Sequence, residues 1–503
     1  MKKFFCYFIF IVSILQTNYS IAEITSFNRW LFENGHTDLV KKEVKEICKN
    51  YEKDSKEWIS NYCNIAEYKN NFEIYTYPQR YWIPSVGSNF KPKPNYMTLA
   101  HEFYKKMIYT KPQNNVSVSG SQEPYIFELD ISKNKFDKHI DKALSKSGLL
   151  SYMYYENGQI KIDKISPKER FGKFIKEDTM FKSHSVGKSL AAYITGHAIC
   201  EGYIDSINTK INDWPIVENT LYYDQELINL LNFKAGDQKF VYDYYVKNPK
   251  WTRYNETSVE TLLNHEFQGS KKSRAIFNYS SFLANLVFNY VAFKTNDDFE
   301  KFLNKIFKDK AKLKNGIIFR KYGNKPQGNM DARFYATRYD YMRIARLMLD
   351  DWQNDTCVGK YLKTIFESRY AKNVSAKYNP FDYAKSYAGM MHTGFKNFSS
   401  KRPVMGMHGY GGQQVVIDFE NSRIAAKRFT RHPATAFSFA EGTRFSDTKK
   451  AAMKSDYKNL LNPKIGALAT ALAGMPMVSE LIDFTLIYET DKRSAWAFAC
   501  GEM

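Results

Sequence analysis

The order of strand-like and helix-like patterns along the 503-residue chain limits the folds open to it. LLSYMYYENGQIKIDKI (149–165) reads as two strands joined at the Glu-Asn-Gly turn of 156–158, because Asn-Gly supplies the positive φ angles of a tight hairpin. MHGYGGQQVVIDFENSRIAAKRFT (407–430) reads as two more strands that turn at 420–422. The long stretch between them is rich in helical patterns. An α/β (α+β) fold is therefore predicted, with one antiparallel sheet assembled from both ends of the domain, flanked by helices and a helical lobe.

The same patterns divide the chain into four segments. We predict a signal peptide at 1–22, an N-terminal extension at 23–120, the α/β domain at 121–435 and a C-terminal extension at 436–503. In the first segment, two lysines precede an apolar run that is too short to span a bilayer comfortably, and a small-residue cleavage site follows. The mature protein is therefore expected to be periplasmic or secreted. The alternative is an uncleaved N-terminal anchor.

Cysteine usage follows from the predicted compartment. Six cysteines are present, and removal of the leader leaves five. In an oxidising compartment we expect Cys48 and Cys63 to pair. Cys200, within an apolar helical stretch, is predicted to be a buried small hydrophobic residue. Neither a CxxC pair nor a His-rich spacing occurs in the sequence, so no metal and no cofactor are predicted.

The formal net charge of +20 falls to +18 when the two leader lysines are removed. Basic residues are scattered among acidic ones, and the densest basic run (305–325) reads as a solvated helix followed by a loop. No nucleic-acid-binding module is recognisable, so no nucleic-acid partner is predicted. Peripheral contact with the anionic cell envelope stays open, and the sequence does not indicate the oligomeric state.

A Ser-x-x-Lys pair at one helix start has the properties of a nucleophile and its base. The chain contains five such pairs, which begin at Ser88, Ser132, Ser185, Ser446 and Ser455. Only Ser185 opens an apolar helix, and a helix N-terminus offers free N–H groups and a positive dipole end to an oxyanion. Lys188 shares a helix face with Ser185 and can reach its oxygen. A desolvated ammonium also loses its proton more easily.

Two further motifs follow in order. Tyr279-Ser280-Ser281 opens another apolar helix, and Met407-His408-Gly409 lies in the Gly-rich start of a strand. In this order the three motifs resemble those of serine hydrolases related to class C β-lactamases and penicillin-binding proteins. The resemblance covers roughly 130–430 and extends to the sequence around the motifs, such as TSVETLLNHEFQG (257–269). The Tyr-x-Ser form of the second motif and the GYGGQ sequence at the third motif are most similar to those in the branch of 6-aminohexanoate-dimer hydrolases and related esterases.

The resemblance implies a β-lactamase/transpeptidase-like fold and a role for each matching residue. Ser185 would attack a carbonyl to form an acyl-enzyme, with Lys188 and Tyr279 as base and proton shuttle. Ser281 would support Lys188 or the substrate.

The third motif would line the substrate through His408 and Gly409. The oxyanion would lie between the backbone N–H groups of Ser185 and Tyr410. Reading the motif one residue later moves the second donor to Gly411. The first reading is favoured because a bulky Tyr at the close-approach glycine position is awkward.

Three histidines have alternative interpretations. His392, in Met-His-Thr-Gly (391–394), looks like a third motif, but KNFSSKRP follows it instead of an apolar strand, so we assign it to a preceding strand-turn region. We expect His184 to have a supporting or structural role and His197 to be a hydrogen-bonded core histidine.

These observations predict an exported serine hydrolase acting on a small-molecule amide or ester. The first alternative is a D-alanyl-D-alanine peptidase or β-lactamase in the same fold, which the lack of Lys-Thr-Gly in the third motif disfavours. The second is a non-catalytic cell-envelope binding protein that retains the fold.

Overall fold

The computed structural model describes the central part of the chain. The described residues are 115–131, 137–146, 149–168, 172–237, 262, 267–321, 329–372, 384–395, 398–399, 401–409 and 413–429. The predicted leader, the predicted Cys48–Cys63 pair and the C-terminal extension lie outside these ranges.

The described residues form fifteen strands. In chain order they are β1 (Asn115–Val118), β2 (Glu128–Leu129), β3 (Leu149–Glu156), β4 (Gln159–Ile165), β5 (Phe181–Lys182), β6 (Lys210–Ile211), β7 (Gln225–Glu226), β8 (Ile317–Lys321), β9 (Met330–Ala336), β10 (Tyr370–Ala371), β11 (Ala384–Ala388), β12 (Met391–Phe395), β13 (Val404–Gly409), β14 (Gln413–Asp418) and β15 (Arg423–Phe429).

Seven α-helices lie among these strands. They are α1 (Asp137–Lys146), α2 (Val186–Cys200), α3 (Leu227–Leu231), α4 (Ser281–Thr295), α5 (Phe299–Asn304), α6 (Arg338–Gln353) and α7 (Cys357–Glu367) in the described ranges. Short 3₁₀ turns at Gly172–Phe174, Pro215–Val217 and Asn296–Asp298 and a π-helical turn at Lys305–Lys310 complete the helical structure there.

The main sheet has nine strands in the order β10-β11-β12-β13-β14-β15-β3-β4-β2, antiparallel except for the β2–β4 pair. The predicted assembly from both ends of the domain is confirmed, because late strand β15 pairs with early strand β3 through contacts such as Ala425 with Tyr154. The predicted hairpin is confirmed too. Asn157 and Gly158 have φ values of 47° and 90°, the left-handed geometry that matches the twist of the paired strands.

Helices cover both faces of this sheet. Val415 and Ile417 of β14 pack into the larger core with α2 and α6, whereas Val416 between them points into the smaller core that includes Ile140 of α1. Alternate residues of one strand face opposite sides of a sheet, so β14 is buried throughout. The predicted antiparallel sheet flanked by helices is confirmed.

A second, four-stranded sheet was not predicted. Its order is β1-β8-β9-β5. The interpretation of 305–325 as a solvated helix and a loop is wrong for part of this range, since strand β8 follows the partly exposed π-helical turn. Ile317 and Phe319 are fully buried in β8, while Lys305, Lys312 and Lys314 are exposed. Strand β1 lies within the predicted N-terminal extension (23–120). The boundary of that extension stays a prediction.

A disulfide joins Cys200, the last residue of α2, to Cys357, the first residue of α7, with Cα atoms 5.8 Å apart. The expectation that Cys200 is a buried small hydrophobic residue is therefore wrong. The two cysteines are 157 residues apart in sequence, so only the packing of α7 beside α2 brings them together.

Candidate active site

The backbone before Ser185 is fixed by strand pairing. Ser183 is buried, and its N–H donates to the carbonyl of Phe334 in β9 at 2.8 Å, while its hydroxyl accepts from the N–H of Phe334 at 2.8 Å. The next residue, His184, has a φ of 48°, which is uncommon for a residue with a side chain. This left-handed residue turns the chain sharply from β5 into α2, with Ser185 as the N-cap.

Ser185 and Lys188 are in contact at the start of α2. The Nζ of Lys188 donates to the Oγ of Ser185 at 2.7 Å, and each residue is only 6% exposed. In the described part of the chain, the backbone N–H of Ser185 is not a donor in the hydrogen bonds of this turn. The arrangement combines a hydroxyl, an amine and an N–H group at a positive helix end in one buried place.

Tyr279 lies beside this pair. The Nζ of Lys188 is 4.7 Å from the centroid of the Tyr279 ring, a cation–π distance. The ring also meets Phe233 edge to face, with centroids 5.3 Å apart. The structure therefore brings together Ser185, Lys188 and Tyr279, which come from two different helix starts.

The segment before Tyr279 is anchored by a buried carboxyl group. The N–H of Asn278 donates to the carbonyl of Phe233 at 2.8 Å, and its side-chain amide donates to Asp237 at 3.3 Å. Tyr222 donates its hydroxyl to the same carboxyl group at 3.1 Å. Burial raises the pKa of Asp237.

Helix α4 begins directly after this anchor. The hydroxyl of Ser280 caps the helix by accepting from the N–H of Leu283 at 3.2 Å. Ser281, the predicted supporting residue, is the first residue of the helix and is half-buried.

The third motif lies at the end of a strand. Met407-His408-Gly409 was expected at the start of a strand, but it closes β13, and β14 begins at Gln413. A Cβ added at Gly409 would lie 2.5 Å from the carbonyl oxygen of Ser183 and 3.3 Å from the Cβ of His184. Glycine therefore lets β13 approach the turn that precedes the nucleophile. Tyr410 and Gly411 lie outside the described residues, so the second oxyanion donor stays a prediction.

His392 is closer to the site than its sequence context suggested. It is the second residue of β12, 2% exposed, and its ring centroid is 4.7 Å from that of His408. The β11–β12 turn is tied to the nucleophile helix, because Ser189 of α2 donates its hydroxyl to the carbonyl of Met390 at 2.6 Å. Sequence reasoning did not identify Lys372, whose Nζ lies 3.1 Å from Nδ1 of His392.

The other two histidines are less central. His184 supplies the turn before Ser185 through its backbone, and the role of its side chain stays a prediction. His197 is a core residue, but the expectation that it is hydrogen-bonded is wrong, since neither ring nitrogen has a partner among the described residues. Its ring packs edge-on against Tyr193 at 4.7 Å. Burial, and then the ammonium groups of Lys310 and Lys305, lower the pKa of His197 to about 3.

The described ranges contain no group of His, Cys, Asp and Glu side chains that could hold a metal ion. None of the helices in those ranges combines the length and hydropathy needed to cross a bilayer.

No protein-family model and no curated protein matches the sequence. Solved structures do match. A Bacillus anthracis protein described as a 6-aminohexanoate-dimer hydrolase matches with a TM-score of 0.43 and 12% identity, over 70% of this chain and 91% of its own. A Bacteroides dorei protein described as a β-lactamase matches with a TM-score of 0.45 and 15% identity, over 60% of this chain and 91% of its own.

A class C β-lactamase from Rhodobacter sphaeroides also matches, with a TM-score of 0.39 and 11% identity, over 65% of this chain and 97% of its own. At these values the matches assign no activity. The solved structures to which this chain is similar include proteins described as β-lactamases, a 6-aminohexanoate-dimer hydrolase and a penicillin-binding protein homologue.

Proposed function

We propose that the protein is an exported serine hydrolase that cleaves an amide or ester through an acyl-enzyme on Ser185. The 2.7 Å contact between Lys188 Nζ and Ser185 Oγ carries the proposal. A surface Ser–Lys pair would be solvated, whereas this one is buried at the positive end of a 15-residue helix.

In the first step, the unprotonated Lys188 takes the proton from Ser185 as Oγ attacks the substrate carbonyl carbon. The C=O electron pair moves to the oxygen, and the N–H of Ser185 stabilises the resulting oxyanion. A donor of this kind contributes roughly 3 kcal/mol to the transition state. The ring of Tyr279 lies 4.7 Å from Nζ of Lys188, beside the group that takes the proton.

In the second step, the C=O re-forms and the bond to the leaving group breaks. The leaving amine or alcohol takes the proton from Lys188, directly or through the Tyr279 hydroxyl, and the acyl group stays on Ser185. A water molecule then attacks the acyl carbonyl carbon while Lys188 accepts its proton. The bond between that carbon and Oγ breaks, Lys188 returns the proton to Oγ, and the carboxylic acid leaves free Ser185.

The Cys200–Cys357 disulfide supports the export part of the proposal. Disulfides persist in oxidising compartments and are rare in the cytosol. The signal-like N-terminus agrees with this location.

A fluorophosphonate probe tests the nucleophile. Intact mass should show one adduct on the wild type and none on Ser185→Ala. Thr195→Val removes another buried hydroxyl of the same helix, one that donates only to the carbonyl of Ala191 one turn earlier, and this matched control should be labelled like the wild type. Lys188→Met should label roughly 100-fold more slowly or worse, the usual contribution of a general base.

An unlabelled but folded wild type would contradict the hydrolase and favour the binding protein. After successful labelling, a nitrophenyl ester, nitrocefin and a D-Ala-D-Ala peptide compared side by side would assign the substrate class.

A further inference from the structure

A second buried lysine is connected to the candidate site by a row of packed rings. Lys372 follows β10, is 7% exposed, and its Nζ lies 5.9 Å from the centroid of the Tyr387 ring. Tyr387 stacks on Phe233 at 5.2 Å, and Phe233 meets Tyr279 at 5.3 Å. Tyr279 in turn lies under the ammonium of Lys188.

Lys372 determines the state of a neighbouring imidazole. Its Nζ is 3.1 Å from Nδ1 of His392. An ammonium group has three donors and no acceptor, so Nδ1 accepts and the imidazole proton is on Nε2. Burial, followed by the charges of Lys372, His408 and Lys188, lowers the pKa of His392 far below its ordinary value. The surroundings thus favour the neutral imidazole over the cation, and the contact with Lys372 selects the tautomer.

The His392 ring supports the strand end that faces Ser185. His392 is the cross-strand partner of Gly406 in β13, and its ring lies 4.7 Å from the ring of His408. A Cβ added at Gly406 would lie 2.6 Å from Nε2 of His408, so the His408 ring lies against the backbone there. Gly409, the residue after His408, lies against the carbonyl of Ser183.

We propose that Lys372 is a positioning residue of this site that acts through His392. By donating to Nδ1 it fixes the orientation and tautomer of the imidazole against which His408 packs. It thereby holds the Gly409 end of β13 against the turn before Ser185. The inference rests on the proposed function, since the effect is read out as the reactivity of Ser185.

Three lysine variants test the inference by the second-order rate of fluorophosphonate labelling. Lys372→Met keeps the approximate length of the side chain and loses the hydrogen-bond donor. Its labelling rate should fall about ten- to a hundredfold, as expected for a small misplacement of reacting groups. Lys372→Arg keeps charge and donors and should restore most of the rate. Lys234→Met is the matched control, because Lys234 also lies over a tyrosine ring at this sheet edge, 4.2 Å from the centroid of Tyr370. It should label like the wild type.

His392→Asn tests the contact from the other partner. It keeps an acceptor near the Nδ1 position and removes the ring that His408 packs against, so slow labelling is expected. Long-range ¹⁵N NMR of labelled histidine should show the Nε2–H tautomer for His392 in the wild type and in Lys372→Arg.

The outcomes separate the two proposals. A wild type without an adduct at Ser185 overturns the proposed function and this inference with it. A labelled wild type, together with folded Lys372→Met or His392→Asn that label equally fast, overturns the positioning role alone. An Nδ1–H tautomer in the wild type also overturns that role.

Discussion

Replacement of Gly187 by alanine is predicted to displace the candidate nucleophile. Gly187 lies in the first turn of α2, between Ser185 and Lys188. A Cβ added there would lie 2.0 Å from the carbonyl oxygen of Ala332, 2.7 Å from its carbonyl carbon and 2.9 Å from the Cα of Arg333. All three atoms belong to the backbone of β9, which cannot rotate away as a side chain can.

The size of the displacement follows from these distances. Strand β9 is held between β8 and β5, and the N–H of Ala332 donates to Asn285 of α4 at 3.0 Å. Contacts of a Cβ closer than 3.0 Å essentially do not occur, so the start of α2 must move by at least about 1 Å. A misplacement of about 1 Å can cost 10²-fold in rate. Overpacking of this kind also lowers the free energy of unfolding by about 1–3 kcal/mol.

Gly196→Ala is the matched control on the same helix. Its Cβ would lie 2.3 Å from a ring carbon of Tyr361, a comparable clash. The clash is about 16 Å along the helix from Ser185 and involves a side chain. Gly196→Ala should therefore lose stability while keeping its labelling rate, whereas Gly187→Ala should label about 100-fold more slowly.

The two glycine variants are compared by fluorophosphonate labelling and by denaturant unfolding. Gly187→Ala with wild-type labelling and wild-type unfolding free energy would refute the close packing of α2 on β9. Equal labelling of the two variants would refute the argument that the position of the clash on the helix decides its effect on Ser185.

Two further predictions concern stability. Loss of the disulfide in Cys200→Ser/Cys357→Ser should lower the free energy of unfolding by up to about 5 kcal/mol, the loop-closure entropy of a 157-residue separation; an unchanged urea midpoint would contradict this. The folded pKa of His197, about 3, lies below its unfolded value of about 6.5. The contribution of His197 to the free energy of unfolding is therefore complete above pH 6.5. It is lost as the pH falls toward 3, by about 1.4 kcal/mol per pH unit. His197→Phe should flatten the dependence of unfolding free energy on pH in that window; an unchanged slope would argue against a buried neutral imidazole.

The candidate site was partly predictable because one of its features, the Ser185–Lys188 contact, is local. A serine three residues before a lysine at a helix start can make the Ser185–Lys188 contact within one turn, whatever surrounds the helix. Tyr279 was identified by motif order alone, and its nearness to Lys188 depends on the anchoring of Asn278 by Phe233 and Asp237. No pattern in the sequence indicates that anchor.

Lys372 and His392 show what local patterns miss. Lys372 stands in the chain as one of many lysines, and His392 was set aside because no apolar strand follows it. Both reach the site because β10, β11 and β12 extend the sheet beyond β13, and the sequence does not specify that order of strands. The sequence does not show that Lys372 is buried, so its place in the site could be recognised only from the structure.

The sequence by itself determined the hairpin turn at 156–158, the starts of α2 and α4 and the assembly of one sheet from both ends of the domain. These follow from φ preferences, capping and hydrophobic period, which act over a few residues. Only the tertiary structure decided that Cys200 bonds to Cys357, that β8 is a strand, and that Lys372 donates to His392. Such contacts join residues that are distant in sequence or depend on burial, so they exist only after the helices and the sheets have packed together.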